Sequence, residues 1–361
     1  MAQKWIVREG SKSRGFRYKG PSGNAVKDKR DLKRIDALRI PPAWRDVHVS
    51  TNSRAAIQVW GFDARGRKQY KYHPRAVEKG ELRKYYRVRQ MARDLPTLRA
   101  KIQRDFSRRG LTKEKVCAGI VRLIARGFFR VGSEKYQKEN NTFGITTMRK
   151  SHVSVSGDTV EFEYKGKRSI SQRNVVVAKD LARFVSALLE TPGPRLFRYL
   201  EDGKWVDVDS HDVNEYIERV AQFPYTAKDF RTWGGTLRAA TVLAELGEGK
   251  SQNERKKNVV TAVRLVAAEL GNTPAICRKS YVHPVIVMKY LRSGTTIALA
   301  KHLTQSDNGL GHAPEESALI DFLDEHFPER RKELRREESS GRRGDREQSI
   351  SRRADRQAAS D

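Results

Sequence analysis

The chain has 361 residues, and its 73 Lys and Arg against 44 Asp and Glu leave a formal net charge of +29. So large an excess calls for a polyanion as partner, and nucleic acid is the commonest one. No apolar run approaches the roughly twenty residues of a membrane-spanning helix, and two cysteines, Cys117 and Cys277, are too few for a disulfide framework or a zinc site. Hydrophobic residues, at 37%, suffice for a core once a charged tail is set aside. The N-terminus lacks the apolar stretch of a signal peptide, so the chain is expected in the cytoplasm, nucleoid-associated if the source is bacterial.

Roughly the first eighty residues read as mostly strand. Ile40-Pro41-Pro42-Ala43-Trp44 predicts an extended, proline-stiffened lead into a sheet. Ala56 to Phe62 alternates apolar with other residues and runs into the turn Asp63-Ala64-Arg65-Gly66. The strand Arg67 to Tyr72 comes next, with Tyr70 and Tyr72 on one face and Gln69 and Lys71 on the other. A hinge is expected near Lys79 to Leu82, and from about Glu81 the pattern turns helical. Val116, Ile120, Leu123 and Gly127 keep helical spacing.

An island of strand then interrupts, Val153 to Val155, the turn Ser156-Gly157-Asp158, and Val160 to Tyr164. A tight turn at Lys165-Gly166 predicts Lys167 at a hairpin tip or just past it. Helices return with one stripe of Phe230, Trp233, Leu237, Ala240 and Ala244, and another of Val259, Val263, Val266 and Leu270. Thr273 as cap and Pro274 in the first turn start a last helix, which predicts Tyr281 about two turns into it. Beyond Pro328 the chain is Arg, Glu, Ser and Gly with almost no apolar residue, too little to offset chain entropy, so disorder is expected there. The organisation predicted is a β-rich domain over 1–78, a mainly helical domain over 82–328 and a disordered charged tail over 329–361.

Cutting a nucleic-acid strand reversibly needs a side-chain nucleophile, fixed cations to meet the charge of a pentacoordinate phosphorus, and a proton for the departing oxygen. There is no H-x-x-H pair, no C-x-x-C pair and no dense carboxylate cluster, so neither metal nor cofactor is expected. Two arginines, a lysine and a hydroxyl would serve instead. Four segments offer them: Phe129-Arg130-Val131-Gly132, Phe162 to Lys167, Ala227 to Thr232 with Arg231 off its apolar stripe, and Leu270 to Pro274 with Tyr281 downstream, Tyr290 being the second-choice hydroxyl. Taken singly, each arginine reads as a solvated face and each tyrosine as amphipathic packing.

Together and in this order, these segments make the chain resemble the small type IB DNA topoisomerases, the poxvirus-like class also found in bacteria. The resemblance runs from Ile40-Pro41-Pro42-Ala43-Trp44 to Tyr281 and includes Gly66-Arg67-Lys68-Gln69-Tyr70, Arg130-Val131-Gly132, Phe162 to Lys167, Lys228-Asp229-Phe230-Arg231-Thr232 and Gly271-Asn272-Thr273-Pro274. It implies an α+β fold: a small strand-rich N-terminal domain and a larger, mainly helical catalytic domain with a small β-hairpin sheet. The two would close as a monomeric clamp around double-stranded DNA. It also implies ATP-independent relaxation of supercoils through a 3′-phosphotyrosyl intermediate. By the same resemblance Tyr281 is the nucleophile, Arg130 and Arg231 bind the non-bridging oxygens, and Lys167 protonates the 5′-oxygen. Asn272 stands where the family often has histidine; its amide still donates a hydrogen bond but is no base. Gln69, Tyr70 and Tyr72 match residues that touch DNA, Lys135 and Tyr136 match phosphate-side contacts, and Lys228 is a further DNA contact. For the tyrosines the alternative is ordinary sheet packing. Two rival functions remain. A tyrosine recombinase typically carries H-x-x-R where Lys228-Asp229-Phe230-Arg231 stands, and a non-catalytic DNA-binding protein has no need of the ordered set. Gly249-Lys250-Ser251 imitates the end of a nucleotide-binding loop, but Ala244 occupies the place of its first glycine.

Overall fold

The computed structural model describes residues 5–299 and 309–327, so the tail expected over 329–361 lies outside the described residues. The chain divides into two compact units, Met1–Tyr85 and Tyr86–Asp361.

The first unit is a five-stranded antiparallel sheet. Its strands are β1 (Trp5–Ser11), β2 (Gly15–Lys19), β3 (Arg45–Ser50), β4 (Ile57–Phe62) and β5 (Lys68–Tyr72), in the order β2-β1-β3-β4-β5. Helix α1 (Lys29–Ala37) lies between β2 and β3 in the chain, and its Ile35 is buried with Ile6, Val47, Val49 and Val59 in one small core. No apolar stripe in the sequence announces this helix. It spans nine residues, most of them charged, and starts because the Asp28 carboxylate accepts from the backbone N–H of Arg30 and Asp31. The Pro41 to Trp44 segment differs from expectation too. It is a turn closed by the Trp44 N–H on the Pro41 carbonyl at 3.1 Å, not an extended lead. The Asp63 to Gly66 turn forms as read, with Gly66 in the left-handed region at φ +72°. The Asp63 carboxylate accepts from the Arg65 and Arg67 N–H groups and pairs with the Arg67 guanidinium.

Residues 79–82, where a hinge is expected, are helical. Helix α2 (Pro74–Phe106) runs unbroken through them for 33 residues. It begins well before Glu81, because Pro74 suits a first helical position and the His73 ring nitrogen accepts from the Arg75 N–H at 3.1 Å.

The second unit continues with α3 (Lys113–Gly127), α4 (Glu134–Asn140), β6 (Val153–Ser156), β7 (Thr159–Lys165), β8 (Ser171–Val177) and α5 (Lys179–Leu189). Then come β9 (Arg198–Glu201), β10 (Lys204–Asp207), α6 (Ser210–Ala221), α7 (Ala227–Leu246), α8 (Gln252–Glu269), α9 (Pro274–Ser280), α10 (Pro284–Ser293) and α11 (Pro314–His326). Strands β6-β7-β8 form one antiparallel sheet and β9 with β10 a small hairpin. The chain is thus α+β, with a strand-rich first unit and a mainly helical second unit holding small sheets. Three strands escaped the sequence reading. β8 (Ser171-Gln-Arg-Asn-Val-Val-Val177) buries only Val176, and β9 and β10 are four residues each. The helical stripes do form the core. Val116, Ile120, Leu123, Phe230, Trp233, Ala240, Val259, Val263, Val266 and Leu270 are all buried in one cluster. Among the described residues no helix is long and apolar enough to cross a membrane.

Candidate active site

Arg130 owes its place to the chain reversal at the end of α3. The helix ends at Gly127, and Phe128 turns the chain back in the left-handed region at φ 53°. The next residues run extended against a crossing segment: the Ile145 N–H donates to the Arg130 carbonyl at 2.7 Å and the Thr146 N–H to that of Val131 at 2.8 Å. The crossing is so close that a Cβ on Gly144 would sit 2.5 Å from the Gly132 backbone. Gly144 is thus a packing requirement, and Gly132 of Arg130-Val131-Gly132 is required by its own backbone, at φ +107°. Held this way, Arg130 donates from Nη2 to the Gly271 carbonyl at 2.5 Å and to Asn272 Oδ1 at 2.6 Å.

Arg231 lies in the second turn of α7, whose start is fixed by Thr226 donating from its N–H and hydroxyl to the Asp229 carboxylate. Asp229 is itself buried and receives Arg87 of α2 through Nη2 at 2.7 Å. The sequence leaves Arg231 off the apolar stripe, but α7 is covered on most sides, and Arg231 is only 3% exposed. One nitrogen donates to the Leu270 carbonyl at 3.1 Å, while Nε is buried without a partner. Burial pushes its pKa down, and Tyr281 and Tyr164 nearby offset part of that. A guanidinium starts so high that it keeps its charge. A buried cation without a carboxylate is costly unless an anion arrives.

Tyr281 stands in that field, its ring centroid 5.3 Å from the Arg231 guanidinium carbon. Thr273 caps α9 and Pro274 opens it, as read, but the helix stops at Ser280. Tyr281 is its C-cap, at φ −125° and ψ −13°, and its N–H donates to the Cys277 carbonyl at 2.9 Å. The count of two turns holds; the residue ends the helix and is not inside it. Its carbonyl is held by the Thr236 hydroxyl of α7 at 3.1 Å. Gly235 permits this approach, since a Cβ there would meet the Tyr281 carbonyl oxygen at 3.0 Å. Tyr290 offers no alternative. It is buried, its hydroxyl donates to the Gly247 carbonyl, and it accepts from Asn258 Nδ2.

Asn272 completes the group: its Oδ1 faces Arg130, and its Nδ2 is buried without a partner, a donor to spare. Lys167 is not brought into contact with these four. It is exposed on a short 3-10 turn, Lys167–Ser169, between β7 and β8, and has no hydrogen bond or ion pair among the described residues. The turn is closed by the Gly166 N–H on the Ile170 carbonyl at 2.8 Å. The end of the hairpin next to this turn does reach the site. A Cβ on Gly271 would collide with Gln172 Oε1, and Tyr164 of β7 lies in the field of both Arg130 and Arg231. Neither Tyr164 nor Gln172 stands out in the sequence. Tyr164 alternates with Val160 and Phe162 and so reads as core, and Gln172 belongs to a strand that the sequence does not announce.

The remaining candidates are surface groups. Tyr70 and Tyr72 are 42% and 51% exposed, which sets aside ordinary sheet packing. Their rings stack at 6.0 Å, and Lys68 Nζ lies 4.1 Å from the Trp60 ring centroid on the same sheet. Gln69 alternates to the opposite face and donates to Asp63 Oδ2 at 3.0 Å. On α4, Tyr136 is exposed and Lys135 stands 3.8 Å from Glu139; Lys228 is exposed at the start of α7. Among the described residues no three His, Cys, Asp or Glu side chains gather as a metal-ligand set.

Known proteins share much of this sequence. A family model of the eukaryotic DNA topoisomerase I catalytic core matches residues 71–306, and one of the bacterial DNA topoisomerase IB N-terminal domain matches residues 15–63. The DNA topoisomerase 1B of Acanthamoeba polyphaga mimivirus is 33% identical over 286 residues, 77% of this chain and 84% of that protein. The DNA topoisomerase 1B of vaccinia virus (strain Copenhagen) is 24% identical over 266 residues, 70% and 80% of the two chains. The DNA topoisomerase 1 of rabbit fibroma virus (strain Kasza) is 27% identical over 275 residues, 70% and 79%.

Proposed function

The chain belongs to the type IB DNA topoisomerases, and from that membership we propose how its own residues relax supercoiled duplex DNA. One strand is cut and resealed through a 3′-phosphotyrosyl bond, which keeps the energy of the broken phosphodiester, so ATP has no part. The Tyr281 oxygen attacks phosphorus, the bond to the 5′-oxygen breaks, and resealing reverses both steps. Arg130 and Arg231 meet the charge on the non-bridging oxygens, and Asn272 Nδ2 adds a hydrogen bond. Asn272 cannot serve as base, so the Tyr281 proton passes to water. Lys167 protonates the 5′-oxygen once bound DNA draws the hairpin turn into the groove.

The observation that carries this reading is a buried guanidinium beside the Tyr281 ring, with no carboxylate partner among the described residues and one N–H unspent. Such a site stores positive charge for a phosphate. Around it Lys135, Tyr136 and Lys228 would hold backbone phosphates, while Gln69, Tyr70 and Tyr72 would contact DNA from the first unit. The working form would be a monomer closing as a clamp around the duplex, in the cytoplasm, on the nucleoid if the source is bacterial.

The test is trapping of a covalent adduct on end-labelled duplex DNA in a denaturing gel. Tyr281→Phe should abolish the adduct and leave non-covalent binding nearly unchanged, because one hydroxyl is lost among many phosphate contacts. An adduct that persists at the wild-type level would move the nucleophile elsewhere.

A further inference from the structure

Strand β7 turns Val160, Phe162 and Tyr164 inward; the first two are fully buried, and Tyr164 is 9% exposed. For packing alone a third apolar ring would serve, since the Tyr164 ring lies 6.4 Å from that of Phe129 in the main core. Among the described residues the Tyr164 hydroxyl has no hydrogen bond, and it is not sealed from solvent.

Its surroundings are those of the phosphate site. Phe129, the ring beneath it, is the residue before Arg130. Across the sheet Tyr164 pairs with Gln172, whose amide abuts Gly271, and the Gly271 carbonyl holds Arg130. Both Arg130 and Arg231 act on Tyr164 electrostatically. The lower end of β7 is pinned by the Phe143 N–H on the Lys165 carbonyl at 2.8 Å. A solvent-reachable hydroxyl on a nine-tenths-buried ring, with no partner among the described residues and in the field of both arginines, is a donor free for a ligand.

We propose that Tyr164 is a further catalytic residue, whose hydroxyl donates a hydrogen bond to a non-bridging oxygen of the scissile phosphate between Arg130 and Arg231. This rests on the reading of the Tyr281 site given above. Burial pushes the Tyr164 pKa up to about 12, against the partial pull of the two arginines, so the group stays a neutral phenol. As a neutral phenol it keeps a proton to donate. Charge grows on the non-bridging oxygens as phosphorus becomes pentacoordinate, so the bond strengthens in the transition state and speeds cutting and resealing alike.

The experiment compares the full-length wild type with Tyr164→Phe in single-turnover cleavage and religation of a duplex substrate. Both rates should fall roughly ten- to a hundredfold, as when one fixed donor to a developing oxyanion is removed. DNA affinity and melting temperature should stay at the wild-type values, because no folded-state bond is lost. The same pair is then run on the two stereoisomers of a methylphosphonate substrate, each lacking one non-bridging oxygen. In the isomer whose methyl faces Tyr164, wild type and variant should cleave at equal rates, whereas the other isomer should keep the difference. Wild-type rates for Tyr164→Phe on ordinary DNA would overturn the proposal. So would a loss that comes with a lowered melting temperature or that persists in both isomers. Tyr281→Phe, run beside it, separates the two ideas: if it forms no adduct while Tyr164→Phe is normal, only the role of Tyr164 fails, and if it still forms one, the site reading itself fails.

Discussion

Lys167 carries the sharpest question at the scale of a residue, because it is exposed and stands apart from the other four catalytic candidates. If it protonates the 5′-oxygen, its loss should matter only when that oxygen is a poor leaving group. Lys167→Ala should slow cleavage of ordinary DNA by roughly a hundredfold or more. On a 5′-bridging phosphorothiolate, where a thiolate leaves unaided, the variant should recover most of its rate. Arg130→Ala and Arg231→Ala should not recover, since the charge they meet lies on the non-bridging oxygens of both substrates. Equal loss for Lys167→Ala on the two substrates would leave only a phosphate clamp. At this scale the sequence was legible where chemistry and order coincide, in Arg130, Arg231, Asn272 and Tyr281, which the fold does bring together. Periodicity misses Tyr164, because alternation reports which way a side chain points and not what its hydroxyl meets. It also does not reveal that Arg231 is sealed in, which depends on how many neighbours cover α7.

The lesson differs for whole elements. Long apolar stripes announced α3, α7 and α8, whereas short or polar elements, α1, β8, β9 and β10, owe their form to a cap or to a partner strand. The helical pattern was expected from about Glu81, but a helix start seven residues earlier takes in the charged stretch 75–84. Helix α11 is likewise set by tertiary contacts. Its Glu316 is buried and accepts from Arg99 at 2.7 and 2.9 Å, from the Trp233 indole at 3.4 Å and from the Ala313 N–H at 3.0 Å. Glu316→Ala removes the carboxylate partner of Arg99, which is partly exposed and keeps only its bond to the Gly311 carbonyl at 2.6 Å, and should cost about 3 kcal/mol in denaturant unfolding. A loss below about 0.5 kcal/mol would show that α11 is held by its apolar face alone. Burial raises the Glu316 pKa, but the Arg99 hydrogen bond and charge outweigh it, and the net shift is below the ordinary 4.5. The carboxylate's contribution is therefore whole above the unfolded value and drains away as pH falls through the lower folded value. The gap in stability between wild type and variant should narrow on that acid side.

For the molecule as a whole, the two compact units and the charge of +29 bear on the proposed clamp. A fragment that begins at Pro74 keeps α2 entire and loses the sheet with Tyr70 and Tyr72. It should bind duplex DNA more weakly and with a shallower salt dependence, and cleave more slowly, if the first unit supplies the phosphate and sugar contacts proposed for it. A fragment that cleaves as fast as the full chain would remove the clamp. The central claim, relaxation of supercoils by single-strand cutting and resealing through a tyrosyl ester and fixed arginines, is tested most directly by plasmid relaxation in EDTA without ATP, run on positively and on negatively supercoiled circles. The account predicts that the wild type relaxes both and that Tyr281→Phe relaxes neither. An absolute need for Mg²⁺ or ATP, or relaxation of one sign only, would contradict it.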